Sequence, residues 1–113
     1  MVFHFLSAAM TLTLVASGDS VQLTRAQVAA AEYGGVLGAA AQCQDIDQQR
    51  VGAATHRASV AVHNMVLTDD QFARARISFE SAAREGGAKI TNHQETCADA
   101  VAALKRLEDQ LGQ

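Results

Sequence analysis

The sequence predicts an all-α domain, an up-down four-helix bundle closed by one disulfide bond. Residues able to cap a helix recur at four points, each followed by a stretch in which apolar residues return every three or four positions. The 113-residue chain contains no proline, so nothing interrupts a long helix by removing a backbone donor. Aromatic residues make up only 4% of the chain, which favours closely approaching helices with alanine-rich contacts over a thick core.

The first 17 residues differ from the rest of the chain. Residues 1–17 carry no charged side chain, and their apolar run ends at small residues before the polar Gly18-Asp19-Ser20. This run is short for a bilayer span, which needs about 20 residues, and it is typical of the apolar part of a secretory signal peptide. We therefore expect residues 1–17 to be a signal peptide and 18–113 a single helical domain. An uncleaved anchor and a buried N-terminal helix are the alternatives, since no Lys or Arg precedes the run.

Capping residues predict where the four helices begin. Three starts share a threonine followed three residues later by glutamine, the capping-box pattern, at Thr24, Thr68 and Thr91. Asp47 supplies the fourth start. Glycine is preferred just after a helix ends, so Gly86-Gly87 and Gly112 are read as stops. The predicted helices cover residues 25–43, 48–66, 69–85 and 92–111.

The first helix carries a stripe of small residues. Ala30, Gly34 and Gly38 recur every four positions, and each interior glycine costs about 1 kcal/mol of helix stability relative to alanine. Close approach of another helix is the gain that offsets this cost. The stripe therefore predicts close helix packing inside the bundle, with a self-association face as the alternative.

The two cysteines are predicted to pair. Cys43 ends the first helix and Cys97 lies near the start of the fourth, so an up-down order brings both to the same pole of the bundle. An oxidising compartment would join them. The chain-entropy account of such a cross-link gives about 4 kcal/mol of stabilisation, a large amount for so small a core.

A metal site is the alternative use of the same pole. His93 and Cys97 are four residues apart on the predicted fourth helix, and with Cys43, and Asp45 beside it, they would offer ligands for zinc or copper. We favour the disulfide, and therefore expect no resident metal and no cofactor. The chain contains no nucleophile-elbow, phosphate-loop or zinc-protease motif, so we expect no enzymatic activity.

Charge limits the classes of partner. The net charge is −3 with acidic and basic residues interspersed, whereas nucleic-acid and membrane-surface proteins carry basic patches. We expect a non-catalytic periplasmic or secreted module that acts by protein–protein contact, with no membrane span in its mature form. The partner is unidentified, and a second copy of the chain is one option. The runner-up is a small-ligand or metal-binding bundle that uses the Cys43/His93/Cys97 pole.

Three short segments resemble small exported bacterial proteins of unknown function. The segments are Leu37 to Cys43, Phe72 to Ala83, and the final helix with Cys97, and the resemblance covers about residues 27–108. It departs at Gln49-Arg50, where such proteins often carry a tryptophan–arginine pair. The resemblance implies a disulfide-linked envelope protein and indicates no reaction.

Overall fold

Four helices form the domain in a computed structural model, which describes the backbone of residues 2–112 and the side chains of residues 20–112. The helices are α1 (Val2–Ala41), α2 (Gln48–His63), α3 (Asp69–Thr91) and α4 (Cys97–Leu111). No strand occurs within residues 2–112. The predicted all-α four-helix fold is confirmed. The predicted signal peptide, residues 1–17, lies outside the residues whose side chains are described.

The second and third helices begin where their caps predict. Asp47 adopts an extended backbone and its carboxylate accepts a hydrogen bond of 2.9 Å from the backbone N–H of Gln49. The Thr68 hydroxyl accepts from the N–H of Gln71, and the Gln71 side chain accepts in return from the N–H of Leu67. These are local contacts within four residues, which is why the sequence alone was sufficient to predict them.

The predicted start of the first helix at residue 25 is wrong. Helix α1 begins at Val2 and passes through Thr24, whose hydroxyl donates to the carbonyl of Ser20, one turn back, at 2.8 Å. Threonine can cap a helix or bond to the preceding turn within one, and nothing near this position stops the helix. The first helix also ends at Ala41 rather than at residue 43, and the second at His63 rather than at residue 66.

The predicted boundary between the last two helices is also wrong. Helix α3 does not stop at residue 85 but continues through Gly86 and Gly87 to Thr91, and both glycines are buried. Thr91 does not cap the next helix, because its hydroxyl donates to the carbonyl of Ala88. The cap is Thr96, which accepts from the N–H of Asp99 at 3.2 Å, so α4 begins at Cys97 rather than at residue 92.

Helices α1 and α3 form the closest contact of the bundle, and they run parallel. Gly34 lies against the backbone of Phe79 and Gly38 against that of Ala83, so numbers rise together along both helices. The α1 helix contacts α2 and α4 as well, whereas α3 packs almost wholly on α1. The small residues therefore place α1 at the centre of the domain and leave α3 and α4 apart, one on each side of it.

Alanine supplies much of the core, and the largest fully buried side chains are Leu104 and Cys43. Each outer helix buries one stripe at helical spacing. On α2 and α4 the buried residues are Val51, Ala54, Ala58 and Val62, and Ala100, Leu104 and Leu107. Side chains of this size let helix axes approach closely, as the low aromatic content predicts.

Candidate interaction surface

The predicted disulfide is present and joins the end of α1 to the start of α4. The Cα atoms of Cys43 and Cys97 lie 5.7 Å apart, within the usual range for a disulfide, and the sulfurs are bonded. Cys43 is fully buried. A sulfur in a disulfide is not a thiolate, so in this state neither cysteine offers the metal ligand that the alternative reading needs.

The structure places His93 outside the helices, directly after the C-cap residue of α3. His93 is exposed in the α3–α4 connection and has a φ of 60°, the left-handed conformation. Because α4 begins at Cys97, the helical four-residue spacing between His93 and Cys97 does not exist. Asp45 is exposed in the connection between α1 and α2. Within residues 20–112, no group of three His, Cys, Asp or Glu side chains is placed to hold a metal ion.

An ion pair between α2 and α4 is the strongest electrostatic contact of the described chain. The Nε of Arg50 donates to Glu108 at 2.8 and 3.0 Å, and its Nη2 donates as well, so the pair is bidentate. These hydrogen bonds lower the pKa of the Glu108 carboxyl and raise the pKa of Arg50. The sequence does not indicate this pair, because its members are 58 positions apart. The pair joins α2 to α4, and we interpret its role as structural.

The small-residue stripe predicted on the first helix lies at two different contacts. A methyl group built on Gly34 would meet the carbonyl of Phe79, and one built on Gly38 would meet the backbone of Ala83. Ala30 is fully buried and lines a pocket between α1, α2 and α3. Gly34 and Gly38 therefore face α3 inside the bundle.

That pocket is apolar and small. It has a volume of about 190 Å³ and is bounded by Val62, Phe72 and Phe79, with the polar side chains of α2 and α3 at its edge. Ligand sites in proteins usually enclose about 300–1,000 Å³. The pocket is thus smaller than a typical site for an organic ligand.

A second recess lies over the opposite side of α1, in the gap between α3 and α4, and we call it the α1 groove. Its volume is about 420 Å³ and it is open to solvent. Small side chains from all three helices form its floor, namely Ala31, Gly35, Ala82, Gly86 and Ala103. Three glutamates and one lysine form its rim, namely Glu32, Glu85, Glu95 and Lys89.

Two exposed valines extend the floor of the α1 groove along α1. Val21, Val28 and Gly35 are spaced seven residues apart, which is nearly two helical turns, so they share one face of α1. Val28 is 53% exposed and Val21 is 50% exposed. The other exposed apolar side chains, such as Val60 and Ile77, occur singly on α2 and α3. Exposed apolar residues therefore continue from the groove onto the free face of α1 at every second turn, with Arg25 and Glu32 between them.

The sequence alone does not reveal this surface. The glycines that pack α3 against α1 are recognisable by their spacing, but Gly35 and Val28 belong to the same helix and carry no local mark of exposure. The one available signal was the seven-residue spacing of Val21, Val28 and Gly35. That spacing alone does not distinguish a buried face from a free one.

Comparison of the chain with protein-family models, with curated proteins and with solved structures found no match. Within residues 20–112, no helix combines the length and the apolar character required to cross a membrane.

Proposed function

We propose that the protein is a non-catalytic helical module, exported to the cell envelope or beyond it, that acts by binding a protein at the α1 groove. The observation that carries the proposal is the row of Gly35, Val28 and Val21 on one face of α1, which leaves two valine side chains half exposed beside an open groove. Exposed apolar side chains beside a recess with a charged rim are characteristic of protein-binding sites.

The small side chains on the floor of the groove favour a helix as the bound element. Its floor is built from alanine and glycine, which allow another helix backbone to approach closely, while its charged rim remains in water. Apolar positions seven residues apart on α1 offer one side of a helix–helix contact. The perturbed ionisable groups of the described chain, Arg50 and Glu108, are paired with each other, which supports a role without proton chemistry.

Two features support export. The uncharged apolar run of residues 1–17 matches a secretory signal, and a disulfide between Cys43 and Cys97 is typical of an oxidising compartment. Intact-mass analysis of protein taken from the envelope or the medium tests this step. We expect a mass that lacks residues 1–17, and a mass that retains them in the cell interior would contradict export.

Photo-crosslinking in the living cell tests the binding surface. A benzoylphenylalanine placed at Val28 should give a discrete crosslinked product, because Val28 is half exposed on the face of α1 that continues from the groove. The matched control is Val60, which is also half exposed but lies on α2, away from the groove. Equal products from both positions, or none from Val28, would refute the proposed surface.

A further inference from the structure

We infer that the bound protein is a second copy of this chain, paired antiparallel along α1 so that Arg25 of each copy meets Glu32 of the other. This inference rests on the proposed function and names its partner. Three independent observations support it: the charges that flank Val28, the apolar residues brought together by the same register, and the small floor of the groove.

The charges on the free face of α1 are self-complementary. Arg25 and Glu32 lie on opposite sides of Val28 along the helix, both are exposed, and neither forms an ion pair within residues 20–112. An antiparallel pairing centred next to Val28 places Arg25 opposite Glu32 of the second copy, and the two-fold symmetry repeats that contact. A parallel pairing in register would instead place like charges together.

The same register also matches the apolar residues. With Arg25 opposite position 32 of the second copy, Val21 falls opposite position 36, which is a valine on the α1 groove wall. Val28 then lies next to the two-fold axis and falls opposite position 29 of the second copy, which is an alanine. A single register thus covers each half-exposed valine of α1 with an apolar residue of the second copy, as a symmetric interface requires.

The floor of the groove leaves room for a helix to approach closely. A methyl group built on Gly35 would meet no atom within 4 Å, so the space above this residue is open. Ala31 beside it adds only a methyl group. The helix of the second copy therefore approaches without displacing any side chain of the floor.

A purely basic partner helix fits the same surface less well. The three glutamates of the rim would attract it, but Lys89 lies on the rim and Arg25 lies along the extension toward Val21. A second copy supplies both signs of charge in the order that this face needs. Electrostatic complementarity of this kind selects a partner and its register.

Charge reversal tests the register directly. The protein purified from cells is studied by sedimentation velocity as wild type, Arg25→Glu, Glu32→Arg and the double variant. We expect the wild type to dimerise and each single variant to dimerise at least about tenfold more weakly, because two like-charged contacts replace two opposite ones. The double variant should recover the dimer, as the contacts are then restored with exchanged signs.

A mixture of the two single variants gives the sharpest result. Arg25→Glu carries acids at both positions and Glu32→Arg carries bases at both, so an equimolar mixture should form a heterodimer although each variant alone remains mostly monomeric. Lys105→Glu is the control, since Lys105 is exposed on α4 on the side away from the groove and should leave dimerisation unchanged. Circular dichroism of each variant verifies folding.

The outcomes separate this inference from the proposed function. A monomeric wild type, or single variants that dimerise as well as the wild type, would overturn the inference. The mass of the Val28 crosslink then decides the broader proposal. A product of twice the chain mass supports self-association. A product with another protein overturns the inference but leaves the proposed function standing. The absence of any crosslinked product refutes both.

Discussion

Replacing Gly38 with alanine should destabilise the domain, although alanine is the better helix former. The added methyl group would lie 2.5 Å from the Cα and 2.6 Å from the carbonyl carbon of Ala83, where ordinary contacts are 3.4 Å or longer. Both atoms belong to the α3 backbone, so neither can turn away as a side chain would. The two helices would have to separate by roughly 1 Å, opening a contact that close packing otherwise fills.

The expected magnitude follows from two opposing contributions. Alanine gains about 1 kcal/mol over glycine in a helix interior. Overpacking costs about 1–3 kcal/mol, and the rigid backbone places this site at the upper end. The net loss is about 2 kcal/mol, which for a domain of this size lowers the melting temperature by about 8–16 °C.

Gly52→Ala is the matched control. Gly52 lies inside α2, and a methyl group built there meets nothing within 4 Å. This variant should therefore keep the propensity gain and unfold about 4–8 °C higher than the wild type. Thermal melts followed by circular dichroism measure both variants. If Gly38→Ala melted at or above the wild-type temperature, the close parallel contact of α1 with α3 would be wrong.

The remaining predictions concern the disulfide, the caps and the ion pair. Cys97→Ser should lower stability by up to about 4 kcal/mol in urea melts, because the bridge spans a separation of 54 residues and restricts the unfolded chain. The wild type should show no titratable thiol when denatured without reductant, and two free thiols would contradict the bridge. Thr96→Ala should cost about 1 kcal/mol by removing the cap of α4, whereas Thr91→Ala should have little effect. Equal losses of stability in the two variants would contradict the assignment of Thr96 as the cap of α4. Hydrogen bonds from Arg50 hold the pKa of Glu108 below its ordinary value of 4.5 in the folded protein. The ionised pair therefore stabilises the fold at neutral pH, and this contribution is lost as pH falls below 4.5 through the folded pKa. Urea melts should show the wild type more stable than Glu108→Gln at pH 7 and no more stable near pH 2; an unchanged advantage at low pH would contradict this assignment.

Features fixed by short-range contacts were predictable from the sequence. Asp47 and Thr68 cap their helices through backbone groups two and three residues away, so their residue types nearly determine the local structure. The pairing of Cys43 with Cys97 followed from helix number and short connections, which restrict the possible order of helices. The count of four helices and the disulfide were therefore contained in the sequence.

Features that depend on a neighbouring helix were not predictable from the sequence. Gly86 is equally suited to end a helix and to let another helix approach, and only the carbonyl of Gly35 beside it decides for the second role. The same holds for Thr91 and Thr96, because a helix that continues past Gly87 moves the next start to Thr96. Arg50 and Glu108 pair across two helices with no spacing rule to indicate it.

The sequence by itself determined which faces are apolar and which residues can start a helix, since both depend on neighbours within about two turns. The tertiary structure alone decided that α3 packs closely against α1 and lies apart from α4. The reason is steric: glycines at Gly34 and Gly38 admit the α3 backbone on one side of α1, whereas Gly35 on the adjacent face leaves its space open. That difference, which no property of an isolated glycine reveals, creates the α1 groove.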